Sequence, residues 1–548
     1  SKVEEQPPFV TPAINIDGYL TTPRGGTLSV DAGQGVAIGL RVDGQSVDTE
    51  MMRQGVPVGA GTHAVSVAGT LSGDKWSLVP RWDGADLFTA AIATTAPPGT
   101  LERALRSGAR FVAPLLIALI LLSAIRCIAA RVHQPLALVW VVAATVVMAL
   151  AGTFGSAAIV RLSPLLLAGV LFVPLEARVK NLWGAALLIG VPFIAMLTAL
   201  HAREAGVFTW YPVGDDFWMY QRFAYRIYLQ GYWLEGGQPT FWFQPLYRWI
   251  AGALHMVFGD SSVGEVLWDG VCAVASGLFA FVVTRATAGF RWGALAMITV
   301  LAVLTLGPIW YLFGRGLAEI SSMGLLAAAA LLALRGRDGS WIPIALSACC
   351  ATLAFYARLN NLPMSLAMLA FAWPLRYRAG DVWSPRLLLA RASSRVLVGA
   401  AALIIVGLFL FAARTWYYTG VFSLLYGTQG SARSVWQPTE DGQSPLQNAI
   451  GSFMVVLTMA DPPTFEPRGL PIVVGFIASV LALIRLKPLD RLPMNAVLVC
   501  LAGFAGSLVA RGSAYPGRFS AHVLPIATAV CVSAIALLVR RVTVSRTA

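Results

Sequence analysis

The spacing of apolar positions divides the chain into two unlike parts. Up to about residue 106, short runs such as GVAIGLRVDG, HAVSVAGTLS and KWSLVPRWDG alternate apolar and polar residues and are separated by turn signals. Period-2 alternation puts successive side chains on opposite faces of a strand. Residues 1–106 are therefore predicted to form a small β-sandwich, ending in the linker Pro97-Pro98-Gly99. Trp76 and Trp82 in this part are candidates for a sugar platform or, more plainly, for its core.

Beyond the linker the pattern changes to long apolar segments. About 13 are long enough, or nearly so, to span a membrane: 110–130, 136–152, 157–174, 182–201, 264–286, 293–313, 317–335, 341–357, 361–375, 396–413, 469–485, 492–510 and 521–539. Three fall within 107–181 and ten within 182–548. Between the fourth and fifth lies a polar stretch, 202–263, containing YPVGDDFWMYQRFAYRIYLQGYW. Read as a helix from Asp215, it places Asp216, Tyr220, Phe223 and Ile227 on one face and Asp215, Met219, Arg222 and Arg226 on the next. Such a helix is too polar to cross a bilayer and is expected to lie along its surface. An Asp at a helix start commonly caps free N–H groups, but one cap explains one Asp, not two.

Composition agrees. With 57% hydrophobic and 12% charged residues, the chain reads as a polytopic α-helical membrane protein. The net charge of +13 does not point to nucleic acid, because the basic residues gather in short loops at alternate junctions. Arg126, Arg178, Arg285, Arg335, Arg376, Arg485 and Arg540 then share the cytoplasmic side with the C-terminus. The β-domain and the Asp215 loop are expected on the other side, in a multi-pass inner (plasma) membrane protein. Because the sequence opens at Ser1 without Met, a signal peptide or first helix is expected to have been removed or to lie outside it.

All six cysteines fall in apolar segments, so disulfides and zinc sites are not expected. The five histidines show no metal-ligand spacing, no GxxxxGK loop occurs, and His255 reads as interfacial packing. Arginines on the outer side are not explained by topology. Arg222, Arg226, Arg248, Arg315, Arg358, Arg414, Arg433, Arg468, Arg511 and Arg518 individually suit snorkelling to headgroups, and together suit an anionic ligand. Glu319, near a helix end, is a candidate substrate residue or the partner of Arg315 four residues earlier. The loop from Thr415 to Arg468 is long enough to act as a lid.

The segments GDDFWMYQRFAYRIYLQGYW and FWFQPLYRWIAGALHMVFGDS resemble the first extracytoplasmic loop of the GT-C superfamily of integral-membrane glycosyltransferases. FGRGLAEISSMG, FYARLNNLPMS, RTWYYTGVFSLLYG and AYPGRFSAHVLP resemble later outer-face helix ends of the same enzymes. The similarity covers 182–548, with 202–263 as the catalytic loop. It departs from the family in that the acidic loop follows the fourth predicted helix rather than the first, leaving 107–181 as an added helical module. The resemblance implies a polyprenyl-phosphate-sugar donor and a glycan, lipid or protein acceptor in a bacterial cell envelope. It implies Asp215 or Asp216 as general base. Arg518 first, then Arg414, Arg358 and Arg315, would bind the donor phosphate. Tyr220, Arg222, Gln244, Tyr247 and Glu319 would line the substrate site. A divalent cation, Mg or Mn, held by Asp215, Asp216 and Glu319, is a candidate cofactor. Rival readings are a transporter or flippase of lipid-linked saccharides, and an oligosaccharide polymerase or ligase whose key residues lie in a late loop.

Overall fold

The computed structural model describes residues 13–22, 24–33, 35–72, 78–87, 92–94, 97, 135–154, 162, 164, 167, 184, 186–201, 220, 224, 244–258, 263–307, 309–314, 316–338, 340–372, 393–424, 470–486, 492–510 and 518–547.

The N-terminal part folds into two antiparallel sheets. The strands are β1 (Ala13–Thr22), β2 (Gly26–Ala32), β3 (Val36–Val42), β4 (Gln45–Val47), β5 (Val56–Val58), β6 (Gly61–Leu71), β7 (Leu78–Trp82), β8 (Ala85–Asp86) and β9 (Ile92–Thr94), with a short helix α1 (Thr49–Gln54) after β4. One sheet has the order β4-β3-β6-β1-β9 and the other β5-β2-β7-β8. Two reversals are set by Asp-Gly pairs. Asp43-Gly44 joins β3 to β4 across Val42↔Gln45, and Asp83-Gly84 joins β7 to β8 across Trp82↔Ala85. Both residues of each pair have positive φ, 51° and 80° in the first and 48° and 77° in the second. This left-handed backbone matches the twist of a two-residue hairpin, and Asp and Gly tolerate it best. Leu20, Leu28, Val30, Leu40, Val58, Val67 and Trp82 from both sheets, with Met52 of α1, close one core. Trp82 is thus a core residue packed over Gly26, whose missing Cβ leaves room for the indole. It offers no face to a sugar, and Trp76 lies outside the described residues.

The rest is helical. In chain order the helices are α2 (Pro135–Phe154), α3 (Val191–His201), α4 (Pro245–Phe258), α5 (Val263–Ala288), α6 (Phe290–Leu306), α7 (Ala318–Arg335), α8 (Trp341–Ala357), α9 (Leu362–Ala367), α10 (Ser393–Thr419), α11 (Leu470–Leu486), α12 (Leu492–Ala510) and α13 (Leu524–Thr547). Among the described residues, four stretches are long and apolar enough to cross a membrane: Gly264–Ala288, Ala318–Arg335, Leu397–Tyr417 and Ala521–Arg541. Shorter apolar helices occupy seven more of the predicted segments, from Val139–Gly152 to Leu492–Ser507. Segment 110–130 lies outside the described residues, as does nearly all of 157–174.

Some predicted segments are not single helices. The one expected over 293–313 ends at Leu306, because Gly307 turns extended ahead of Pro308, a residue that disfavours helix before it. The one expected over 361–375 is a 3-10 turn, the six residues of α9 and a second 3-10 turn. Pro363 cannot continue a helix begun earlier, so α9 starts afresh with Pro in its first turn.

Helix α5 is the hub, packing on α3, α6, α7 and α13. Its contacts set direction. Trp268 meets Ser321 and Cys272 meets Gly324, so α5 and α7 run parallel. Thr284 meets Ser533, and Arg540 reaches the carbonyls of Thr287 (3.2 Å) and Ala288 (2.5 Å), so α5 and α13 run parallel too. Ser347 bonds Ala329 while Arg358 reaches Glu319, so α8 is antiparallel to α7. The starts of α5, α7 and α13 therefore share one end of the bundle with the end of α8. Arg285, Arg335 and Arg540 collect at the other.

Candidate functional site

The end of the bundle opposite those arginines is unusually polar for its depth. Glu265 and Asp269 lie in the first two turns of α5, Glu319, Ser321 and Ser322 open α7, Arg358 ends α8, and Asn361 and His522 sit in adjoining 3-10 turns. All are buried. The Arg358 Nη1 to Glu319 Oε1 distance is 3.1 Å, with side chains 9% and 2% exposed. Buried charges persist only when paired, and this pair ties the end of α8 to the start of α7. Trp268 Nε1 donates to Ser321 Oγ at 2.7 Å. Asn361 Nδ2 donates to Ser322 Oγ and, at 3.0 Å, to the Ala354 carbonyl.

Local sequence explains how α7 is delivered here. In FGRGLAE, Gly314 and Gly316 have φ of 66° and 62°, a backbone that side chains resist. The turn they make aims the Gly314 N–H at Asp269 Oδ2, 3.0 Å away. Asp269 thereby fixes the segment from which α7 starts, and Glu319 follows two residues after Leu317.

Helix α4 packs on α5 with Pro245, Leu246, Tyr247, Arg248, Ala251, Gly252 and His255 buried. Tyr220 and Ala224, four residues apart, are both helical and buried, as one face of a helix requires. The Tyr220 and Tyr247 rings meet edge to face, 5.0 Å between centroids at 80°. The Tyr220 hydroxyl donates to Gln244 Oε1 at 3.4 Å. Burial pushes the Tyr247 hydroxyl well above the ordinary tyrosine range, and the carboxylates of Glu265, Asp269 and Glu319 push it the same way. It therefore stays protonated, a neutral hydroxyl among acids.

Of the residues expected at a site, Tyr220, Gln244, Tyr247, Glu319 and Arg358 come together here. Arg414, on α10, lies within electrostatic reach of Tyr356, two residues before Arg358. Arg518 begins the 3-10 turn that carries His522, and its side chain is outside the described residues. Asp215, Asp216, Arg222 and Arg315 are also outside them. Glu319 is bonded to Arg358, and the pairing expected with Arg315 lies outside the described residues. Arg248 is 1% exposed, so it does not snorkel to headgroups. His255, also buried, does pack.

Sequence reasoning passed over Glu265, Asp269, Asn361 and His522. A signal for the first two was present: carboxylates at i and i+4 inside an apolar segment of spanning length are costly without a role. Among the described residues, no group of three His, Cys, Asp or Glu is arranged to hold a metal ion. Comparison with protein-family models, with curated proteins and with solved structures finds no match to this chain.

Proposed function

We propose that the chain is a membrane glycosyltransferase of GT-C type, moving a sugar from a polyprenyl-phosphate donor to a glycan, lipid or protein of the cell envelope. The observation that carries this reading is the buried layer in which Arg358, Glu319, Tyr220 and Tyr247 meet at one end of the bundle. A lipid-linked sugar phosphate brings a phosphate that needs a cation and hydroxyls that need polar partners, and the layer holds both kinds of group. Tyr220, in this layer, stands four residues after Asp216 in the sequence. In this reading Asp215 or Asp216 takes the proton of the acceptor hydroxyl as it attacks the anomeric carbon. Arg358, with Arg414, Arg315 and Arg518, stabilises the departing lipid phosphate. Asp215, Asp216 and Glu319 would be the residues to hold a Mg or Mn ion, which would supply positive charge to the leaving group. About 13 spans, with the sheet domain and this layer outside the cytoplasm, complete the arrangement.

A transporter of lipid-linked saccharides would carry its charges near the bilayer midplane. Glu265 and Asp269 instead lie in the first two turns of a 26-residue helix, which favours surface chemistry.

The test is transfer of radiolabelled sugar from a panel of polyprenyl-phosphate sugars into membranes holding wild type, Asp215→Asn or Asp216→Asn at equal expression. Loss of transfer in one variant that still binds donor names the base. No transfer by wild type, or normal transfer by both variants, sinks the proposal in favour of a transporter or a late-loop enzyme.

A further inference from the structure

Three side chains at the polar end are each anchored by one group and leave another unused. Asp269 gives Oδ2 to the Gly314 N–H, and its Oδ1 has no hydrogen-bond partner among the described residues. Asn361 spends its amide N–H donors on Ser322 and Ala354, which orients the amide and leaves Oδ1 in the same condition. Tyr247 is held by its ring against Tyr220, and its hydroxyl likewise has no partner among the described residues. All three side chains are fully buried.

They belong to one neighbourhood. Tyr247 is buried on α4, which packs on α5, the helix that carries Glu265 and Asp269, and it feels the charge of Glu265, Asp269 and Glu319. Trp268, beside Asp269, bonds Ser321, and Ser322 next along α7 is the residue that holds Asn361. Buried polar atoms without partners are rare, because each has given up water for nothing. Three such atoms at the polar end, each on a side chain otherwise fixed, are candidates to bind a ligand.

The unused atoms specify the ligand. Asn361 Oδ1 accepts only, Asp269 Oδ1 accepts while its carboxyl is ionised and can donate when protonated, and the Tyr247 hydroxyl both donates and accepts. A ligand rich in hydroxyl groups, each able to donate and to accept, suits these atoms. Arg358 in the same layer can attend to an attached phosphate. A metal ion would also suit acceptors, yet no set of three acidic, His or Cys ligands exists among the described residues.

We infer that Asp269, Asn361 and Tyr247 form the subsite that reads the hydroxyl groups of the lipid-linked sugar, with Asp269 as the specificity-determining residue. The identity of that sugar as a transferred group rests on the glycosyltransferase reading; the hydroxyl-binding site does not.

The full chain in lipid nanodiscs is titrated with short-chain polyprenyl-phosphate hexoses and pentoses and with their single-deoxy analogues. The melting temperature of the unliganded protein is measured in parallel. Tyr247→Phe should weaken the preferred donor about tenfold, leave the unliganded melting temperature unchanged or higher, and cost nothing further against one particular deoxy sugar. Asp269→Asn should weaken it by about 10- to 100-fold and change the ranking of the panel. Thr198→Val, which removes a similarly placed hydroxyl on α3, should leave every Kd unchanged. The subsite is overturned if Tyr247→Phe lowers the melting temperature with Kd unaltered, since the hydroxyl is then structural. It is also overturned if no lipid-linked sugar binds, or if deoxy donors bind like their parents and EDTA abolishes binding, the signature of a cation site. Donor that binds as expected but is never transferred would refute the enzyme and leave the subsite standing.

Discussion

Arg358 Nη1 lies 3.1 Å from Glu319 Oε1, across the junction where α8 ends and α7 begins, with both side chains almost sealed from solvent. The two residues are far apart in sequence and neither position announces the other. Their pairing converts two costly groups into a strut and holds a cation in the buried polar layer.

Removing one member should therefore be worse than removing both. Arg358→Ala or Glu319→Gln leaves an uncompensated buried charge or a stranded polar group, and should cost about 3–5 kcal/mol. The double variant Arg358→Met, Glu319→Leu should recover most of that loss in thermal melts while failing to bind polyprenyl-phosphate sugars. A double variant as unstable as the worse single would show that the pair does more than neutralise itself.

Close approach of α5 and α7 depends on Gly324. A Cβ there would meet Cys272 Cβ and Sγ at 2.4 Å, whereas one at Gly399 on α10 meets nothing within 4 Å. Gly324→Ala should destabilise by about 1–3 kcal/mol. Gly399→Ala should be neutral or slightly stabilising, because Ala favours helix over Gly. Equal melting temperatures for the two would contradict this packing.

The sheet region carries an acid-sensitive contact. Asp43 accepts from His63 Nδ1 at 2.7 Å and from the Ala64 N–H at 2.8 Å, and these hydrogen bonds, that to His63 foremost, hold its carboxyl below the ordinary value of 3.8. A carboxyl depressed in the folded state stabilises fully above its unfolded pKa and loses that contribution as pH falls through the folded one. Resistance of the region to limited proteolysis should drop below about pH 4, and Asp43→Asn should flatten that acid limb. An unchanged acid limb in the variant would rule Asp43 out as its source.

Sidedness can be read directly. In a cysteine-free background, Gln45→Cys and Val421→Cys should react with a membrane-impermeant maleimide on intact cells. Ser340→Cys and Arg541→Cys should react only after permeabilisation. Labelling of Val421→Cys and Arg541→Cys from the same side would refute the proposed orientation.

Much of the fold was legible in the chain because it depends on neighbours in sequence. Asp-Gly at 43–44 and 83–84 ended alternating runs and became hairpins. The apolar segment 264–286 became α5 almost residue for residue. Where the reading failed, distant or competing constraints were at work: Pro308 and Pro363 broke segments that hydropathy alone joined, and Trp82 proved to be core. Arg248, expected at a headgroup, turned inward with the buried face of α4.

The sequence by itself determined the class of molecule and the common end of Arg285, Arg335 and Arg540, because hydropathy and loop charge act locally on segments as they meet a bilayer. It also singled out Tyr220, Tyr247, Glu319 and Arg358 as individuals. Only the tertiary structure decided that Arg358 is bonded to Glu319 and that Asp269 fixes the Gly314 turn. Only it brought Asn361 to α7 with an oxygen left over. These pairings join helix ends dozens of residues apart, and no local pattern encodes which end of which helix will be its neighbour.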